Sequence, residues 1–166
     1  MDTSQPYGYE MDQAMTDWAN TSTPVLTQKV CYGCGQVITA RGYSDSWDIA
    51  GYTTIYSQAG SSIPAGDCAD PCSGSGQYGN ATIEINRDGY CSGPSKYLTN
   101  YPDSNYSCFN KVTNHELGHA IGLGHTGSCY AVMKQGPYSV PKTPSNNDMY
   151  NANRLYPGYT QVSYTC

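Results

Sequence analysis

All three histidines of this 166-residue chain stand between positions 115 and 125, in HELGHAIGLGH, the first two four residues apart and the third six further on. For their rings to meet, the backbone must run as a helix through His115 and His119, stop, and double back before His125. Helix positions i and i+4 project from one face a turn apart, so the first two rings come together directly. Gly122 supplies the stop, because a residue without Cβ readily enters the left-handed conformation that ends helices.

Three imidazoles so placed form a metal-ligand set. Imidazole nitrogen suits Zn²⁺, and three protein ligands leave a fourth tetrahedral position for a water. Glu116 lies about 100° around the axis from His115, where it can reach that water without displacing a ligand, and it reads as a general base. Zinc lowers the pKa of its water toward about 7, and the glutamate takes a proton as the water attacks a carbonyl polarised by the metal. The expected substrate is a peptide bond, with Glu116 passing the proton on to the departing amine. A bare HExxH arises by chance in unrelated proteins; here the glycine and the third histidine extend it.

Composition narrows the setting. The chain has the length of one domain. A net charge of −5 and a pI near 4.9, with no cluster of Lys or Arg, argue against nucleic acid as a partner. Eight cysteines are an even set for this size and point to disulfides in a secreted protein. The rival is a second zinc site from Cys31 and Cys34 with Cys68 and Cys72, which would strand four thiols. Roughly a hundred connectivities are open to eight cysteines, so no pairing is assigned. No apolar run is long enough to span a bilayer, and MDTSQPYGYE lacks the basic start and apolar stretch of a signal peptide, so the chain reads as a mature domain.

Along the chain, Met11, Ala14, Met15 and Trp18 recur at i, i+3, i+4 and i+7 and predict a core-facing helix ending before Pro24. VLTQKV (25–30), GQVITA (35–40), IAGYTTIY (49–56) and ATIEIN (81–86) read as strands, the last with the cleanest period of two. Residues 57–80 are dense in Gly, Ser, Pro and Asp and read as a loop stapled through Cys68 and Cys72. A helix starting near 104–107 carries His115 and His119, and a last helix starts after Pro144 with Ser145 or Asn146 as cap and stops by Pro157. Strands early and helices late indicate an α+β domain.

HELGHAIGLGH resembles the HExxHxxGxxH consensus of the metzincin metallopeptidases, and the matrixin group most closely. Met133, eight residues beyond His125 in AVM, matches the methionine that this group places at a tight turn beneath the zinc. SNNDMYNANRLYPG resembles the C-terminal matrixin helix, with Asp148 at the position of an aspartate that holds the Met-turn backbone. Asn147 departs from the acid usual before it, and Thr126 from the usual serine. Pro137 and Tyr138 resemble the Pro-x-Tyr wall of the S1′ pocket, with a different separation from Met133 and no intervening residue. The resemblance implies a twisted mixed sheet, mostly parallel with one antiparallel edge strand, assigned to about 49–56, where substrate adds as a further strand. It also implies one catalytic domain: residues 1–125 with the sheet and active-site helix, residues 126–166 with the Met-turn and last helix.

The same resemblance implies a secreted zinc endopeptidase acting on proteins or peptides as a monomer. A structural zinc held by histidines has no ligands left here, and disulfides are the expected replacement. Ca²⁺ is a further family feature, with Asp67, Asp70, Asp88 and Asp103 as candidates, although loop aspartates ordinarily serve turns and no EF-hand spacing is present. Two other classes compete: a zinc-containing domain that captures peptides without cleaving them, against which the intact Glu116 stands, and a disulfide-rich structural module with incidental histidines.

Overall fold

The computed structural model describes residues 8–23, 38–43, 50–57, 61–64, 78–86, 104–126, 130–135 and 141–155. Within them lie α1 (Gly8–Ala19), β1 (Ile38–Tyr43), β2 (Gly51–Ser57), β3 (Ser62–Pro64), β4 (Tyr78–Asn86), α2 (Ser104–Ala120) and α3 (Asn146–Leu155). The chain is an α+β protein. The segment 25–30, expected as a strand, falls outside the described residues, as do the loop around Cys68 and Cys72 and every other cysteine except Cys108, which enters only as backbone of α2.

α1 forms because its apolar residues share a face. Met11, Ala14 and Trp18 are fully buried, and Met15 packs beside them. Burial of each large side chain contributes about 1.5–3 kcal/mol. Trp18 also donates its indole N–H to the Asn114 carbonyl at 3.1 Å, which fastens α1 to α2 next to His115. The helix stops where Thr21 turns back, its hydroxyl donating to the Trp18 carbonyl.

The four strands run in the order β1-β4-β2-β3. β1 and β4 are parallel, with Ala40 opposite Ile83; β2 is antiparallel to β4, with Thr53 opposite Ile83; β3 is antiparallel to β2. Among the described residues one pairing is parallel and two are antiparallel. Only residues 58–61 join β2 to β3, too few for the crossover a parallel pair requires. One expectation is corrected here: β2 is not an edge along its whole length, because Ser62–Pro64 covers Thr54–Tyr56. Pro64 suits that outer position, where a missing N–H costs no ladder bond.

Alternation along β2 and β4 sends Ile55, Ala81, Ile83 and Ile85 to one buried face, and α2 packs across it. Val112 and Leu117 of α2, with Ile121 just past its end, join Trp18, Ile83 and Ile85 in a continuous core that extends to Leu123, Val132, Met133 and Ala152. Thr53 shares this apolar face and is also buried.

Candidate metal centre

α2 carries His115 and His119 one turn apart and then ends at Gly122, whose φ is 94°. Leu123 N–H donates to the Gly118 carbonyl at 3.0 Å and Gly122 N–H to the His119 carbonyl at 2.8 Å, the paired bonds of a Schellman turn. The reversal delivers His125, and Thr126 N–H then donates to the Met133 carbonyl, holding the returning strand against residues 131–134. The three Nε2 atoms meet at 3.1, 3.2 and 3.2 Å.

The contact between His115 and His119 is not a hydrogen bond. His115 Nδ1 lies 2.7 Å from the Val132 carbonyl and His119 Nδ1 2.7 Å from the Leu123 carbonyl. A carbonyl only accepts, so both protons sit on Nδ1 and both Nε2 atoms carry lone pairs. Lone pairs facing one another at this range repel unless a cation lies between them. Zinc bonded to nitrogen at about 2.0–2.1 Å in tetrahedral geometry sets ligand atoms about 3.3 Å apart, close to the triangle observed. The three residues therefore fit zinc by donor type and spacing, two of them also by tautomer, and they are the one such cluster among the described residues.

Burial keeps these rings neutral. It pushes His115 down to about 3, with His119 and His125 adding to the effect, and His119 down to about 4; burial also lowers His125. Lys111, one turn before His115, is buried too, and its ammonium falls to about 8. The ordinary histidine value is 6.5, so between pH 4 and 6.5 the unfolded chain holds protons that the folded site does not. These two rings thus cost the metal-free fold stability as the pH drops through that window. Zinc uptake at pH 5.5 is expected to release few histidine protons, measured by titration calorimetry in buffers of different ionisation enthalpy. Release of about two protons per zinc would contradict neutral rings.

Glu116, the residue after His115 on α2, is also buried. Burial raises its carboxyl to about 7, against which the Thr53 hydroxyl, 2.7 Å from Oε2, works in the opposite sense.

A sequence model of the matrixin family matches residues 9–157, from α1 to just beyond α3. The chain belongs to the matrixin family. No curated protein and no solved structure matches it. Membership in this peptidase family supports a zinc metallopeptidase function acting on proteins or peptides.

Behind the metal centre of this matrixin, Met133 is buried. A Cβ on Gly118 would lie 2.2 Å from Met133 Sδ and 3.1 Å from Trp18 Cζ2, so the methionine occupies the space a side chain at 118 would need. Gly118→Ala is expected to destabilise by about 1–3 kcal/mol, read from the denaturant midpoint; an unchanged midpoint would mean that Met133 has room to move. Asp148 accepts from Val132 N–H at 2.9 Å and Met133 N–H at 3.1 Å, and from the backbone and hydroxyl of Ser145 at 2.7 Å each. It thereby caps α3 and pins the backbone at 132–133 together.

Among the residues expected from sequence, His115, His119 and His125 converge, Glu116 is buried at the next position of α2 after His115, and the buried Asp148 holds the Met133 N–H. Pro137 and Tyr138 lie outside the described residues, as do Asp67, Asp70, Asp88 and Asp103. Sequence reading missed Thr53 and Gly51. A Cβ on Gly51 would lie 3.1 Å from Glu116 Cγ and 2.9 Å from the Glu84 carbonyl, so β2 approaches the helix closely there. A threonine and a glycine in a strand carry no local signal of the helix residue they touch.

Proposed function

We propose that this matrixin is a secreted zinc endopeptidase that hydrolyses peptide bonds of extracellular proteins or peptides, with Glu116 as the general base. The convergence of three Nε2 atoms, two with their lone pairs fixed by carbonyl acceptors and with a buried glutamate alongside, is the observation that carries this reading. His115, His119 and His125 would hold the metal through Nε2. Zinc bound there supplies Lewis acidity, lowering the pKa of a water toward about 7 and polarising a carbonyl.

Glu116 takes a proton from the attacking water as the carbon–oxygen bond forms, and returns it to the amine nitrogen as the carbon–nitrogen bond breaks. No side chain of the site forms a bond to the substrate. A carboxyl whose proton affinity lies near neutrality suits both halves of that exchange, and burial moves Glu116 that way. Asp148 acts at one remove, holding the turn whose Val132 carbonyl orients His115.

The eight cysteines support secretion, with disulfides as the staples of a domain that works as a monomer. No helix among the described residues is long and apolar enough to cross a membrane. The reading is tested by zinc analysis after dialysis, followed by incubation of the zinc-loaded chain with a peptide library. One zinc per chain and chelator-sensitive cleavage are expected. Peptide binding without cleavage would favour the capture domain instead, and a chain that retains no zinc would exclude both.

A further inference from the structure

β2 seats Glu116 at two points. Gly51 lets the side-chain stem lie against the strand, as a Cβ there would come within 3.1 Å of Glu116 Cγ and of Val112 Cγ1. Two residues on, the same strand face presents Thr53, whose hydroxyl is 2.9 Å from the Glu116 carbonyl and 2.7 Å from Glu116 Oε2. A threonine on this apolar face has to place its hydroxyl on a partner, since a buried hydroxyl without one costs about 1–3 kcal/mol. A backbone tie to the helix would need the carbonyl alone. The shorter contact goes to the carboxylate, the stronger acceptor of the two. No described residue gives a hydrogen bond to Oε1, which is not among the buried polar atoms left without a partner.

We propose that Thr53 is a positioning residue for Glu116: its hydroxyl holds Oε2, fixes the rotation of the carboxylate, and leaves Oε1 as the oxygen that exchanges a proton with water. The inference rests on the reading of Glu116 as general base. A carboxylate on a flexible stem otherwise samples several orientations, and loss of a reacting group's orientation costs up to about a hundredfold in rate.

The test uses the zinc-loaded full chain and a fluorogenic peptide that the wild type cleaves. Thr53→Val, which keeps the shape and removes the hydroxyl, is expected to lower kcat about tenfold to a hundredfold, with KM and zinc content unchanged. Thr53→Ser should restore kcat, because it returns the hydroxyl. In a Glu116→Ala background, Thr53→Val should not lower the residual rate further, since the effect passes through the carboxylate. If the valine chain does not fold, Thr53→Ala is compared with Thr53→Ser. Wild-type kcat in Thr53→Val, equal kcat in the serine and alanine variants, or an undiminished effect in the Glu116→Ala background each overturns the assignment. Glu116→Ala cleaving at the wild-type rate would instead overturn the underlying reading.

Discussion

Glu116→Ala is expected to keep one zinc per chain and to lose peptide hydrolysis by at least about a hundredfold to ten-thousandfold, the range over which a placed acid–base group contributes. The fold should survive this change. Thr53 keeps the backbone carbonyl of residue 116 as an acceptor at 2.9 Å, so removing the carboxylate strands no buried hydroxyl. His115 and His119 also keep their own partners, because the Val132 and Leu123 carbonyls do not depend on Glu116. Without metal, the alanine protein is expected to resist denaturation somewhat better above pH 7, where the wild type must hold an ionised carboxylate in a buried setting. Zinc content by elemental analysis beside kcat/KM provides the check. Full activity in the alanine protein would remove Glu116 from the chemistry.

Asp148→Ala should produce the largest loss of stability, about 3–5 kcal/mol. The carboxylate has no exposed surface and receives four hydrogen bonds, three of them from backbone N–H groups that no other described group would satisfy. The damage should also reach the metal. Val132 donates its N–H to Asp148 and offers its carbonyl to His115, so release of the turn loosens the ring that presents Nε2. Outer partners of this kind are worth about 10–100-fold in metal affinity. Urea denaturation and zinc competition against a chromogenic chelator read the two effects separately. A wild-type midpoint together with wild-type zinc affinity would show that the 132–133 backbone holds without its anchor.

The parts of the fold visible in the sequence are those written in local periodicity and local punctuation. The stripe Met11, Ala14, Trp18 announces α1 because a helix with one apolar face has a core to lie on. Alternation at Ala81, Ile83 and Ile85 announces β4, Gly122 the end of α2, and Ser145 the start of α3. The histidine triangle is legible for the same reason, since its members lie within one helix and one turn.

What stays hidden depends on pairing across long stretches of chain. β3 is three residues long and ends in Pro64, which reads as a break until β2 is alongside it. The strand order follows from which hydrophobic faces meet under α2, and no period within 38–43 or 51–57 encodes that. Thr53 and Glu116 are 63 positions apart. Gly118 looks like one more small residue in a helix until Met133 and Trp18 arrive against it.

The carbonyls of Leu123 and Val132 make the outer shell of the metal centre a property of chain path and not of side-chain chemistry. No substitution at either position can delete the acceptor; it can only move it. Replacements there are therefore expected to reach the metal only through the core that both side chains fill, and not through loss of the acceptor. Inserting or deleting a single residue between His125 and Val132 would instead move the Val132 carbonyl away from His115 without altering any ligand. The metal centre is thus more sensitive to loop length than to loop composition.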